Sequence, residues 1–399
     1  MQTPEIRETI RHYLVLRAVS KFGMAFTNAY YVTFLMARGL NLLEVNLVNF
    51  SFFTTLFLCE IPTGAFADVF GRKRSYVLSC ALVAAGMVTY GCATSFWGYV
   101  AAEVIIGIGL TFASGAFRAW LVDRLHHQGY RDSLTDIFAR EEQMAGGIGI
   151  LAPILGVYLA TFGVALPWHA GGIMMAIASI LAARYMREED EFVKTTVSLR
   201  GGYLRMRDIA VQSAQYSRTN TAVRFILAMS ILQTFAVQAL NMQWQPFFRS
   251  LTVSTTSLGY IFASMSIALM VGSGYARRFL RFFGSERTAL LAAQALTGIS
   301  ILATVATSTF GIVLAAFLMH EIGRGIINPL RDVYLNDNIP PQERATIISF
   351  AALASHIGGM AGLLASGVIA NYTTITTAWN VSGVMMVCSA LILWKMQKA

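Results

Sequence analysis

The sequence predicts an all-α integral membrane protein with twelve transmembrane helices in two pseudo-symmetric six-helix bundles, on three observations. The 399 residues are 56% hydrophobic and only 13% charged, against about 25% charged residues in an ordinary soluble domain. Apolar runs of about 20 residues, enough to cross a hydrocarbon core of about 30 Å as a helix, recur along the whole chain. A single long polar segment, 187–220, leaves six runs on either side of it.

Runs read against turn signals place spans at 13–36, 44–67, 75–95, 98–122, 141–163 and 167–186, then at 221–248, 256–276, 287–307, 309–334, 343–370 and 375–394. Span 1 follows a charged start, MQTPEIRETIRH, and carries Arg17 and Lys21 without a small-residue cleavage signature, so it is expected to stay in the mature chain. The four cysteines, Cys59, Cys80, Cys92 and Cys388, lie in apolar runs without CxxC or Cys/His spacing, so no disulfide framework or metal site is expected. Three units follow: an N-terminal bundle over 1–186, a cytoplasmic linker with an amphipathic helix over 187–220, and a C-terminal bundle over 221–399.

Basic residues set the orientation. Of 30 Lys and Arg, 24 fall in segments on the same side as both termini, two (Arg38 and Arg249) fall on the other side, and four lie within spans. Short loops rich in Lys and Arg stay in the cytoplasm, so both ends are expected inside, in a plasma or bacterial inner membrane. The net charge of +9 is then a topology signal, and nucleic acid is not an expected partner.

The two sets of spans echo each other. Gly64 to Arg74, GAFADVFGRKR, follows span 2, and Gly274 to Arg287 follows span 8 with a similar scatter of glycine, aromatic and basic residues. Gly115-Ala-Phe-Arg118 near the end of span 4 pairs with Asn328-Pro-Leu-Arg331 at the end of span 10, and Gly146-Gly147 with Gly358-Gly359. Echoes in the same order at corresponding spans argue for two related halves, an arrangement that places a substrate site near mid-membrane.

With Gly64, Asp68, Gly71, Arg72 and Lys73 in the loop after span 2, the chain resembles the major facilitator superfamily, whose pattern there is G-x-x-x-D-R/K-x-G-R-R/K. Val69 departs from it. The resemblance covers the whole chain. It implies that Gly64, Asp68, Gly71, Arg72, Lys73 and Asp123 belong to a cytoplasmic gate that closes and opens with the transport cycle; a positive-inside anchor with no gating role is the other reading. Gly64 is expected to allow close helix approach and Gly71 a tight turn. Gly149, Pro153 and Gly156 in span 5 resemble the helix-kink motif of the drug and small-molecule proton antiporter branch, with Ala152 where that branch has glycine.

Polar residues inside spans are costly and usually face a cavity. Arg17, Lys21, Asn28 and Tyr31 share one helical face of span 1, and Thr234, Gln238, Asn241 and Gln245 share one face of span 7. These spans correspond in the repeat, and the resemblance makes both cavity-lining; hydrogen bonds that merely glue the bundle are the alternative for span 7. Glu321 and His356 fall near mid-membrane, and with Glu60 they are the candidate proton carriers. Arg324, one turn from Glu321, would instead make that carboxylate structural, and Lys21 could pair with Glu60. Glu103 near the outer end of span 4 could attract cations or reach the interface.

The expected function is secondary active transport of a small organic molecule by alternating access, as proton-coupled efflux of drug-like or amphiphilic metabolites. An importer of a nutrient or organic ion and a non-transporting receptor on the same fold are the alternatives. No GxSxG elbow, HExxH or phosphate-binding loop is present, so no catalytic residue and no enzymatic activity are expected. No cofactor or metal is expected beyond a driving proton gradient. The expected partners are the substrate and the bilayer, with the chain a monomer.

Overall fold

The computed structural model describes residues 3–187, 204, 220–339 and 344–395, so the linker helix read over 187–220 lies almost wholly outside the described residues. Among the described residues there are fourteen α-helices and no strand. Span 1 comprises α1 (Pro4–Ala25) and α2 (Tyr31–Ala37), and span 2 is α3 (Leu42–Phe70). Span 3 is α4 (Arg72–Cys92), span 4 comprises α5 (Phe96–Ala113) and α6 (Ala116–His127), and spans 5 and 6 are α7 (Thr135–Ala160) and α8 (Leu166–Tyr185). Spans 7 to 12 are α9 (Thr221–Ser250), α10 (Ser257–Phe283), α11 (Glu286–Val305), α12 (Phe310–Asn338), α13 (Arg344–Tyr372) and α14 (Ile375–Lys395).

Among the described residues, eleven stretches are long and apolar enough to cross a membrane. Span 1 is not among them: α1 carries Glu5, Arg7, Glu8, Arg11, Arg17 and Lys21, and the apolar residues that follow are split off into the seven-residue α2. Between Ala25 and Tyr31 the regular ladder gives way to tight turns, in which Asn28 N–H donates to Ala25 C=O and Tyr30 N–H to Thr27 C=O. Span 4 is also interrupted, at Ser114 and Gly115, where Gly115 has φ +72°, a conformation that costs glycine little.

The chain forms two compact units that are not contiguous in sequence: Met1–Phe34, Ser51–Leu204 and Thr255–Ala263 in the first, Leu35–Phe50, Arg205–Ser254 and Ser264–Ala399 in the second. Asn46 belongs to the second unit because its buried amide donates to Leu363 C=O at 2.7 Å and to Ser366 Oγ at 3.1 Å. Gly259 belongs to the first, set against Ile154 and Pro153 of α7.

Internal packing repeats between the units. In the first, α4 packs on α5 and α8, and α1 on α8 and α7; in the second, α11 packs on α12 and α14, and α9 on α14 and α13. These are corresponding spans in every case, so the repeat read from short motifs is a repeat of helix contacts. Close approach is symmetric too. The Cβ that Gly156 of α7 lacks would collide with the Phe26 carbonyl oxygen at the break in span 1, and that of Gly362 in α13 with the Phe235 carbonyl of α9. Aromatic side chains fill the remaining space: Tyr90 stacks on Trp168 at 3.8 Å in the first unit, and Phe317 lies 5.6 Å from Trp379 in the second.

Candidate functional site

A polar cavity of about 150 Å³ lies within the second unit, lined by Gln233, Thr234, Val237, Gln238 and Asn241 of α9 and by Arg324, Asn328 and Arg331 of α12. The α9 residues recur at helical spacing and so present one face. That face is the stripe read from span 7, except that Gln245 is buried elsewhere and does not line the cavity.

A chain of polar contacts organises the cavity wall. Arg324 Nη1 donates to Glu321 Oε1 at 3.0 Å and to Asn241 Oδ1 at 3.3 Å, and Asn241 Nδ2 reaches Gln238 Oε1 at 3.4 Å. Thr234 Oγ1 lies within hydrogen-bond distance of Ser355 C=O, 2.9 Å away on α13. Glu321 is almost fully buried, with His320 Nε2 at 3.6 Å from the same Oε1. Of the two readings open for Glu321, the ion pair with Arg324 is thus formed. His356 is exposed on α13 and does not line this cavity.

In the first unit the span 1 residues part company. The break after Ala25 removes the common face, so Arg17 and Lys21 sit on α1 while Tyr31 begins α2. Arg17 Nε lies 2.8 Å from Glu141 Oε1, and the same buried carboxylate accepts from Tyr13 Oη at 2.6 Å and has Arg118 Nε at 3.3 Å. Arg118 reaches on to Glu142 at 2.7 Å. Glu141 is the hub that sequence reasoning missed. It stands at the start of an apolar run, where a carboxylate reads as a loop charge; the two arginines within spans were the signal that a buried acid must exist to meet them. Tyr31 Oη donates to Glu103 at 2.7 Å and Tyr90 Oη does so at 3.2 Å. Glu103 is therefore sealed among aromatic rings and neither reaches the interface nor lies open to cations.

Lys21 does not pair with Glu60 among the described residues. Glu60 is exposed and accepts from Ser114 Oγ at the break in span 4. In the loop between spans 2 and 3, Gly71 adopts φ +100° and caps α4, as a tight turn requires, and Arg72 Nη1 lies 2.8 Å from Asp123 Oδ2. Asp68 is exposed, and no ion pair joins it to Arg72 among the described residues. Lys73 follows Arg72 in the first turn of α4. Gly64 corrects the expectation of a close helix contact: a Cβ there would meet nothing within 4 Å. In the span 5 motif, Gly149 also faces open space, Pro153 is accommodated inside a continuous α7, and Gly156 alone makes the close approach. Because Asp123 is more than half exposed, its pair with Arg72 is worth under about 1 kcal/mol. Asp123→Asn is therefore expected to leave thermal unfolding unchanged and, if the pair gates, to alter flux in proteoliposomes.

A sequence model of the Major Facilitator Superfamily matches residues 14–248 and 224–398. The chain belongs to this superfamily. Among relatives within it, an uncharacterized MFS-type transporter of Bacillus subtilis (strain 168), YxaM, is 23% identical over 94% of this chain and 91% of its own length. A multi-drug resistance efflux pump PmrA homolog of Lactococcus lactis is 24% identical over 61% of this chain and 59% of its own. The crystal structure of the nucleoside transporter NupG superposes with a TM-score of 0.78 at 16% identity, covering 98% of this chain and 99% of that one. Superfamily membership gives secondary transport as the class of activity, and the superposition shows the major facilitator fold.

Proposed function

We propose that this protein exports amphiphilic organic molecules across the bacterial inner membrane by alternating access, driven by proton entry, as a monomer with both termini in the cytoplasm. The cavity between α9 and α12 carries this reading: polar side chains at membrane depth are retained where they meet a guest or an ion, and here eight residues of two helices converge on one space. The likeness to a multidrug efflux pump homolog supports the outward direction. Glu321 is the proposed proton carrier, since it is buried and its partners, Arg324 and His320, share one oxygen, Oε1. The inner pair of Arg72 with Asp123, together with Asp68, is the proposed gate.

Flux of a panel of lipophilic dyes from proteoliposomes, with and without an imposed pH gradient, tests the function. Saturable, gradient-dependent efflux is expected, and gradient-independent leakage equal to that of empty vesicles refutes it. Glu321→Gln is expected to remove the response to the gradient, and a retained response takes Glu321 out of the coupling step. Asp68→Asn is expected to slow turnover while substrate binding survives.

A further inference from the structure

The hydrogen-bond directions in the second unit's cavity identify what it can hold. A guanidinium only donates, so the Asn241 oxygen must be the atom facing Arg324. Asn241 is then left with its N–H groups toward Gln238, whose oxygen must receive them. Gln238 in turn keeps only its own amide N–H groups for other partners, and its Nε2 occupies the room left by the missing side chain of Gly359. The oxygens of Gln238 and Asn241 and Oε1 of Glu321 are thus engaged by donors within the wall. Arg324, Arg331 and Gln238 offer N–H groups to a guest, and the Gln233 and Asn328 amides, which can donate or accept, also line the cavity.

Charge points the same way. No carboxylate lines the cavity among the described residues, and two guanidiniums do. Glu321 compensates one of them from behind. Among the described residues the acidic partner of Arg331 is Asp332, at 3.6 Å and two-thirds exposed, an arrangement that water screens strongly. One positive charge is left over, and planar N–H forks suit a carboxylate.

We propose that this cavity is the binding site for a monoanionic organic molecule, whose carboxylate is held by Arg331 and Arg324 with Gln238 adding an amide donor. Glu321 is a built-in competitor for Arg324, so the guest binds against it. This names the substrate class for the transport reading above and rests on it.

The test is calorimetric titration of the purified full-length protein in detergent with 2-naphthoate and with its neutral counterpart 2-naphthamide. The carboxylate is expected to bind and the amide not. Arg331→Gln, at a half-buried position, is expected to keep the fold and weaken 2-naphthoate by about tenfold or more, the loss typical of a charge-assisted hydrogen bond. Glu321→Gln, which removes the competitor, is expected to tighten it. Equal binding of amide and carboxylate, an unchanged affinity in Arg331→Gln, or no binding of 2-naphthoate at millimolar concentration overturns the proposal. Binding of 2-naphthoate without flux in proteoliposomes would keep the site and remove the transport reading. Gradient-driven flux of neutral or cationic dyes without anion binding would do the reverse.

Discussion

Glu141→Gln is expected to lower the thermal stability of the protein markedly. The carboxylate is 1% exposed and is met by Tyr13, Arg17 and Arg118. An amide of the same shape offers one oxygen and no charge to two guanidiniums and a hydroxyl. Breaking a fully buried pair from one side typically costs 3–5 kcal/mol; both arginines reach some water here, so about 2–4 kcal/mol is expected. Tyr13→Phe removes a single hydrogen bond to the same group and is expected to cost about 1 kcal/mol. Unfolding followed by scanning fluorimetry in detergent ranks the two. An equal effect would show that the charge contributes nothing beyond the hydroxyl contact.

Gly156→Val is expected to have the other large effect, and its neighbours supply the control. The space a Cβ would need at Gly156 is filled by the Phe26 main-chain carbonyl, which cannot move aside as a flexible side chain can. Overpacking a core usually costs 1–3 kcal/mol, and with a main-chain group as the obstacle about 3 kcal/mol or more is expected, together with loss of flux. At Gly147 and Gly149 a Cβ meets nothing within 4 Å. Alanine there is expected to gain about 0.5–1 kcal/mol, because glycine in a helix interior carries an entropy cost. Destabilisation at all three positions alike would show that α7 depends on its glycines for backbone flexibility rather than for one close contact.

Much of the fold was legible because a membrane imposes long apolar runs and a charge asymmetry, both of which are local properties of sequence. The six-and-six division followed from the polar segment 187–220 between those runs, and the repeat from motif echoes such as Gly115 to Arg118 with Asn328 to Arg331. The cavity was legible where the helix is continuous: Thr234, Gln238 and Asn241 lie on α9, and regular periodicity carries them to one wall. It failed in span 1, where Arg17, Lys21, Asn28 and Tyr31 were read as one face. Neither glycine nor proline marks the interruption between Ala25 and Tyr31. A backbone break that is matched by Gly156, some 130 residues away in the chain, leaves no local trace. Arg331 was counted with the topology charges for a related reason. A base near the end of a span is ambiguous between loop and cavity until the length of the helix is known, and α12 continues to Asn338. Glu60, Glu103 and Lys21 show the same limit, since which acid meets which donor is decided between helices.

The interruption of span 1 leaves that span as two short rods on a pivot. The first rod is moored by Arg17 and Tyr13 to Glu141, and the second by Tyr31 to Glu103. With the backbone ladder interrupted between them, the two rods are held by separate moorings and not by one stiff cylinder.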